Sequence, residues 1–307
     1  MIRLSKYHLA IIALIGTNII WGASVPLFKW SLQEMPPFTF AFIRFLLSAL
    51  ILLPFTMHRL KITKKDVISL FVLGFVGFFV HIGLLLVGLK ISSSLNASII
   101  AAAAPIFLII GSALFYKEKV KSKVVLGTII SLAGVIVIIL RPLFDVGLDG
   151  AISGNLMFLV GTLAFVAYTF LLKNYTTHLR TTTVTFYMFA FSTLMFLPFF
   201  LMESSNHNIL TFITVQSMIG ILFGAIFTSI VGYLFYNFAI RYVKASEVGI
   251  FLYMDPIVTI LVAVPLLGEK LTSIFLLGAL LVFVGIFIAE RRVPYHPVHR
   301  LRKKYQY

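Results

Sequence analysis

Apolar residues fall in ten long stretches along this chain, at about 9 to 30, 37 to 57, 67 to 89, 95 to 116, 123 to 140, 152 to 173, 183 to 202, 217 to 240, 246 to 267 and 273 to 290. A helix rises about 1.5 Å per residue and the hydrocarbon layer of a membrane is about 30 Å thick, so roughly 20 apolar residues cross it. Each stretch therefore predicts a transmembrane helix, and the fold class is an all-α polytopic membrane protein. Most connections hold fewer than about a dozen residues, too few for a soluble domain. The opening Met1-Ile2-Arg3-Leu4-Ser5-Lys6 and its apolar run resemble a signal peptide, but the run ends in Trp21, Pro26 and Lys29 rather than in a small-residue cleavage site. A retained first helix is expected.

Composition agrees. Of 307 residues, 60% are hydrophobic and 11% charged, against about half and about a quarter in soluble domains. The net charge of +15 would in a soluble protein suggest nucleic acid, but here it is distributed by side. With a cytoplasmic N-terminus, inner segments carry 20 of the 25 basic residues, outer segments four, and Arg44 lies within the second stretch. That bias places both termini in the cytoplasm of a multi-pass protein of the cell membrane. The basic tail, 292 to 307, with Arg300, Arg302, Lys303 and Lys304, reads as a topology anchor against anionic lipid. The bilayer is the expected partner, and nucleic acid is not. The absence of cysteine excludes thiolate nucleophiles, thiolate metal sites and disulfides.

The chain also repeats itself. Lys90, Pro105, Glu118, Lys119, Gly127 and Gly134 have like partners 151 residues on, at Arg241, Pro256, Glu269, Lys270, Gly278 and Gly285. Earlier in each half the offset is 144, pairing Lys29 with Lys173, Pro54 with Pro198 and Phe55 with Phe199. The division predicted is a first five-helix repeat over 1 to 146 and a second over 147 to 291. Five is odd, so the second copy enters the membrane from the opposite side, giving ten helices in two inverted repeats. Inverted repeats are a mark of secondary transporters, because two nearly equivalent packings can exchange inward-open for outward-open shapes. The glycines, seven residues apart, share a helix face and suit close helix packing. Glu118 and Glu269, each just before a helix, suit a cap or an interhelical clamp.

The blocks Ala104-Pro105 through Phe115-Tyr116-Lys117-Glu118-Lys119, and Asp255-Pro256 through Leu267-Gly268-Glu269-Lys270-Leu271, resemble the paired repeats of the EamA-like family of the drug/metabolite transporter superfamily. Trp21-Gly22-Ala23-Ser24, Pro37-Phe38 and Arg44-Phe45 are similar to that family's first repeat, and the resemblance spans roughly 9 to 290. It implies a ten-helix carrier, cytoplasmic at both ends, with a central cavity lined mainly by helices 1 to 4 and 6 to 9. It also implies export of amino acids, other metabolites or toxic compounds. One departure is Asp255, where many members place Glu before the proline; the charge is kept and its reach shortened.

Mid-membrane charges cost about 2.5 to 3.5 kcal/mol on insertion scales, so Arg44 and Asp255 are the first candidates for function. Arg44 suits an anionic substrate group and Asp255 an amine or a coupling proton; the alternative for both is a packing ion. Pro256 has no amide hydrogen, so Leu252 loses its helical partner beside Asp255. Pro105 repeats the break next to Ala104. Trp21, His81, Asn96, Tyr168, Tyr233 and Asn237 are further cavity candidates; Tyr233, Tyr236 and Asn237 share one helix face. Interhelical hydrogen bonding is the alternative for each.

The leading expectation is a secondary transporter that exports a small metabolite, an amino acid or similar amphipathic compound, by alternating access. A lipid flippase or channel, and an intramembrane enzyme, are the competing classes. No G-x-x-x-x-G-K loop and no G-x-S-x-G elbow occurs, so neither ATP hydrolysis by this chain nor hydrolase chemistry is expected, and no cofactor or metal is called for.

Overall fold

The computed structural model describes residues 6–57, 62–116, 122–144, 151–175, 178–205, 209–243 and 249–290. Among these there is no strand. The helices are α1 (Lys6–Ser31), α2 (Pro37–Thr56), α3 (Lys64–Gly74), α4 (His81–Ile91), α5 (Ser94–Ala102), α6 (Ala104–Tyr116) and α7 (Ser122–Leu140) in the first half. The second half holds α8 (Ala151–Tyr175), α9 (Thr181–Ser205), α10 (Val215–Leu222), α11 (Tyr233–Ala239), α12 (Met254–Leu267) and α13 (Ser273–Glu290). Two joins are π-helical, Phe75–Val80 between α3 and α4 and Phe223–Gly232 between α10 and α11, so each of those assemblies runs as one continuous rod.

Eight helices among the described residues are long and apolar enough to cross a membrane. They fall on the first eight predicted stretches. The last two stretches form shorter apolar helices, Phe251–Leu267 and Ser273–Ala289. The approach to α12 is a 3₁₀ segment, Gly249–Tyr253. Leu50, Ile129, Leu194, Leu261 and Leu280 point outward from five different helices, while Arg44, Asn18, Asn96, Asn155 and Asn237 are buried. Apolar outside and polar inside is the arrangement of a multi-pass membrane protein, whose backbone bonds are satisfied within helices because lipid offers none.

Partners from opposite halves pack most closely: α7 with α13, α2 with α9, α1 with α12, and α4 with α8. Each contact has its own device. Glu203, near the end of α9, accepts from the free amides of Phe38 (3.2 Å) and Thr39 (2.6 Å) at the start of α2 and from Thr39 Oγ1 at 2.8 Å. Those amides are orphans that no helical carbonyl can reach. Thr63 and Asp66 form a reciprocal capping box at the start of α3, and Asp66 also meets His178 Nε2 at 2.8 Å.

The α7 and α13 pair rests on the repeated glycines. A Cβ at Gly127 would stand 2.4 Å from the Gly285 carbonyl, and one at Gly285 would stand 2.3 Å from the Ser131 amide. At Gly134 it would meet Val282 N at 2.6 Å, and at Gly278 the Ile138 side chain at 2.6 Å. Gly127, Gly134 and Gly285 therefore meet the facing helix at backbone contact, and Gly278 packs against a side chain. In lipid, where apolar burial drives nothing, such close approach is a main source of helix affinity. Glu118 lies outside the described residues, as does the basic tail.

Gly127→Leu or Gly285→Leu should part α7 from α13 and cost about 1 to 3 kcal/mol. The measurement is unfolding temperature in detergent, and Ile129→Leu, on the outward face, should leave it unchanged.

Candidate functional site

A cavity of about 90 Å³ lies within the bundle, smaller than the roughly 300–1,000 Å³ of typical small-molecule sites. Trp21, Arg44, His81, Tyr233 and Asp255 line it, joined by Ser24, Phe28, Ser98, Phe165 and Thr228. Its walls thus come from α1, α2, α4, α5, the start of α6, α8, the Phe223–Gly232 segment, α11 and the 3₁₀ segment that runs into α12.

Arg44 is fully buried, and its position is set by a π-helical turn. Wider turns let carbonyls tilt toward side chains of neighbouring helices, which is why such segments recur at functional sites. In Phe223–Gly232, Gly224 O accepts from Arg44 Nε (3.2 Å), Ala225 O from Ser48 Oγ (3.1 Å), Thr228 O from Trp21 Nε1 (3.3 Å) and Gly232 O from Thr17 Oγ1 (3.2 Å). Arg44 Nε also donates to Ser229 Oγ at 2.8 Å. The guanidinium carbon lies 4.6 Å from the Phe28 ring and 5.0 Å from the Phe45 ring, so aromatic faces replace part of its lost hydration. Both of its Nη atoms remain without hydrogen-bond partners. Leaving charged donors unsatisfied costs about 1 to 3 kcal/mol or more, and a ligand carboxylate would satisfy both at once.

Asp255 occupies the first turn of α12, directly after the 3₁₀ segment. Its Oδ1 is buried with no hydrogen-bond partner. Gly22 brings α1 against it: a Cβ there would meet the Asp255 carbonyl at 2.7 Å, and Thr259 Oγ1 donates to the Gly22 carbonyl at 2.8 Å. The other half shows the matching interruption. α5 stops at Ala102 and α6 restarts at Ala104, just before Pro105, as α12 starts just before Pro256.

The remaining candidates divide. Trp21 packs on Phe165, Tyr233 and Tyr236 with ring centroids 5.0 to 5.7 Å apart. His81 Nδ1 is 2.8 Å from the Gly161 carbonyl, so that nitrogen carries the proton. Tyr168 and Asn237 do not line the cavity; they form a buried chain beside it. Tyr168 OH donates to Asn237 Oδ1 at 2.8 Å, and Asn237 Nδ2 donates to Thr185 Oγ1 at 2.9 Å. Thr169 and Tyr236 hydroxyls are 2.7 Å apart in the same layer. Asn96 belongs to a separate network at the other end of α8. It donates to Asn155 Oδ1 (3.2 Å) and accepts from Arg141 Nη1 (2.8 Å), while Ser92 Oγ also donates to Asn155. Ser229, Thr228 and Arg141 escaped the sequence reading. Thr228-Ser229 was detectable as a polar pair inside an apolar span, whereas Arg141 looked like a loop base and is buried.

An all-helical, outwardly apolar bundle around a mostly apolar internal cavity that also holds Arg44, His81 and Asp255 is the architecture of a polytopic membrane protein. The model of the EamA-like transporter family matches residues 8–140 and again 152–290, and the chain belongs to that family. Transport across a membrane is accordingly its general function. It is 30% identical over 292 residues to the uncharacterized transporter YyaM of Bacillus subtilis (strain 168), covering 92% of this chain and 94% of the relative. A second relative, an uncharacterized transporter of Archaeoglobus fulgidus, is 30% identical over 282 residues and covers 92% and 98%. Both are named as transporters rather than enzymes. One solved crystal structure shares the fold, with a TM-score of 0.65 at 16% identity over 95% of this chain and 100% of that one.

Asn237 satisfies two partners, so Asn237→Ala should destabilise the protein more than Tyr168→Phe, which removes a single donor at about 1 kcal/mol. Thermal unfolding of the two variants side by side checks the order.

Proposed function

We propose that this chain is a secondary carrier of ten spans in two inverted five-helix repeats. It exports a small amphipathic metabolite, of the amino-acid type, across the cell membrane by alternating access, with both termini in the cytoplasm. The observation that carries the substrate reading is that Arg44 and Asp255 both border one cavity, and that both Arg44 Nη atoms and Asp255 Oδ1 are buried without hydrogen-bond partners. A carboxylate on the first and an ammonium on the second would complete both, and between transport events a proton could occupy Asp255.

Several features support the inverted repeat. Exchanging the halves maps the α4 and α8 contact onto that of α1 with the Phe223–Gly232 rod, and maps α1 with α12 onto α8 with α5 and α6. The π segments Phe75–Val80 and Phe223–Gly232 overlap at the 151-residue offset, and the breaks before Pro105 and Pro256 coincide. Lys29 and Glu269, which meet at 2.9 Å, have sequence counterparts in Lys173 and Glu118.

In proteoliposomes, counterflow with a panel of amino acids should be saturable; non-saturable flux would indicate a channel instead. Asp255→Asn should fold, remain monodisperse and lose or uncouple transport, and normal saturable transport by that variant would overturn the role of the carboxylate. Arg44→Gln should weaken binding of carboxylate ligands by about 10-fold or more, read as a lost thermal shift. If a proton is coupled through Asp255, a pH gradient should drive accumulation in the wild type.

A further inference from the structure

Glu269 is tied to two other elements at one end of the bundle. It follows Gly268, whose left-handed φ of 64° turns the chain out of α12. One carboxylate oxygen accepts from Lys29 Nζ (2.9 Å) and the Ser94 amide (2.8 Å), and the other from the Leu95 amide (3.0 Å). Lys29 Nζ also donates to the Ser92 carbonyl at 2.7 Å. Three rods therefore meet on one side chain: α1 ending at Ser31, α5 beginning at Ser94, and α12 ending at Leu267.

All three also contribute to the cavity wall. Phe28 precedes Lys29, Ala97 and Ser98 stand about one turn into α5, and Asp255 lies on α12, about 20 Å along the axis from Glu269 at 1.5 Å per residue. The Glu269 knot ties these three wall elements together at one end. Its chemistry suits reversible closure. The Glu269 side chain is 9% exposed and that of Lys29 24%, so water can replace each partner when the rods separate, unlike the fully buried Arg44. The neighbouring bonds of Arg141, Asn96 and Asn155 tie α5, α7 and α8 to each other, and Arg141 Nη2 also donates to the Lys270 carbonyl at 3.2 Å, while α1 and α5 meet the end of α12 through Glu269.

We propose that the Glu269 carboxylate is the latch of the cavity mouth at this end, the one that charge bias assigns to the exterior. Releasing Lys29 and the Ser94 and Leu95 amides would free α1 and α12 from α5 and open the cavity. As a transport gate the latch rests on the carrier reading above; as a closure of the cavity it can be measured without any substrate.

The chain has no cysteine, so a single one reports access cleanly. Ala101→Cys, on the cavity wall, is reacted with a bulky hydrophilic maleimide in lipid nanodiscs, where both faces are open. Adding Glu269→Gln should raise the labelling rate about tenfold. Lys29→Gln should raise it less, because the carboxylate still holds α5. An unchanged rate in Glu269→Gln overturns the latch, and if that variant does not fold, an unchanged rate in Lys29→Gln does so. In proteoliposomes, a Lys29→Cys/Glu269→Cys pair joined by a short reducible crosslinker should stop transport, and reduction should restore it. Undiminished transport by the crosslinked protein also overturns the latch. Faster labelling with no substrate moved would sink the carrier reading alone, while transport with unchanged labelling would sink the latch alone.

Discussion

A guanidinium in the hydrocarbon layer must find its hydrogen bonds within the protein, and the central architecture follows from how Arg44 finds only some of them. Hydrocarbon supplies no acceptors, and backbone carbonyls in an α-helix are already engaged. The π-helical turns of Phe223–Gly232 resolve this by presenting carbonyls to the side chains of α1 and α2. The same segment therefore anchors Thr17, Trp21, Arg44 and Ser48, and one local distortion assembles two helices around the cavity. Arg44 spends its Nε on that anchor, and both of its buried Nη atoms are left without hydrogen-bond partners.

Around this centre the bundle separates rigid contacts from breakable ones. The α7 and α13 pair meets through glycines at backbone distance, a contact that cannot open gradually because dispersion falls off steeply with separation. The Tyr168, Asn237 and Thr185 chain is likewise buried and fully paired. By contrast, the Lys29 and Glu269 contact is ionic, partly hydrated and made between helices that also form the cavity wall. Breaks before Pro105 and Pro256 interrupt the two rods that flank the cavity.

The amino-acid sequence on its own determined the helical class, the extent of nearly every apolar element and the family, because burial in lipid demands an unbroken apolar run that composition alone reveals. It also singled out Trp21, Arg44, His81, Tyr233 and Asp255, which the structure brings to one cavity, since a charge or polar ring in such a run has few inexpensive places to sit. What only the tertiary structure decided is which polar groups are spent on each other. Tyr168 and Asn237 have the same residue types and depth as cavity groups, yet they pair across 69 residues. Arg141 reads as a loop base and is buried on Asn96. The glycines show a helix face in sequence but not that the two faces meet each other. The π-helical turns that orient Arg44 leave no periodic signature. Pairing between distant segments is a property of three-dimensional packing, and one-dimensional spacing carries it only where a repeat, as at Gly127, Gly134, Gly278 and Gly285, writes the same contact twice.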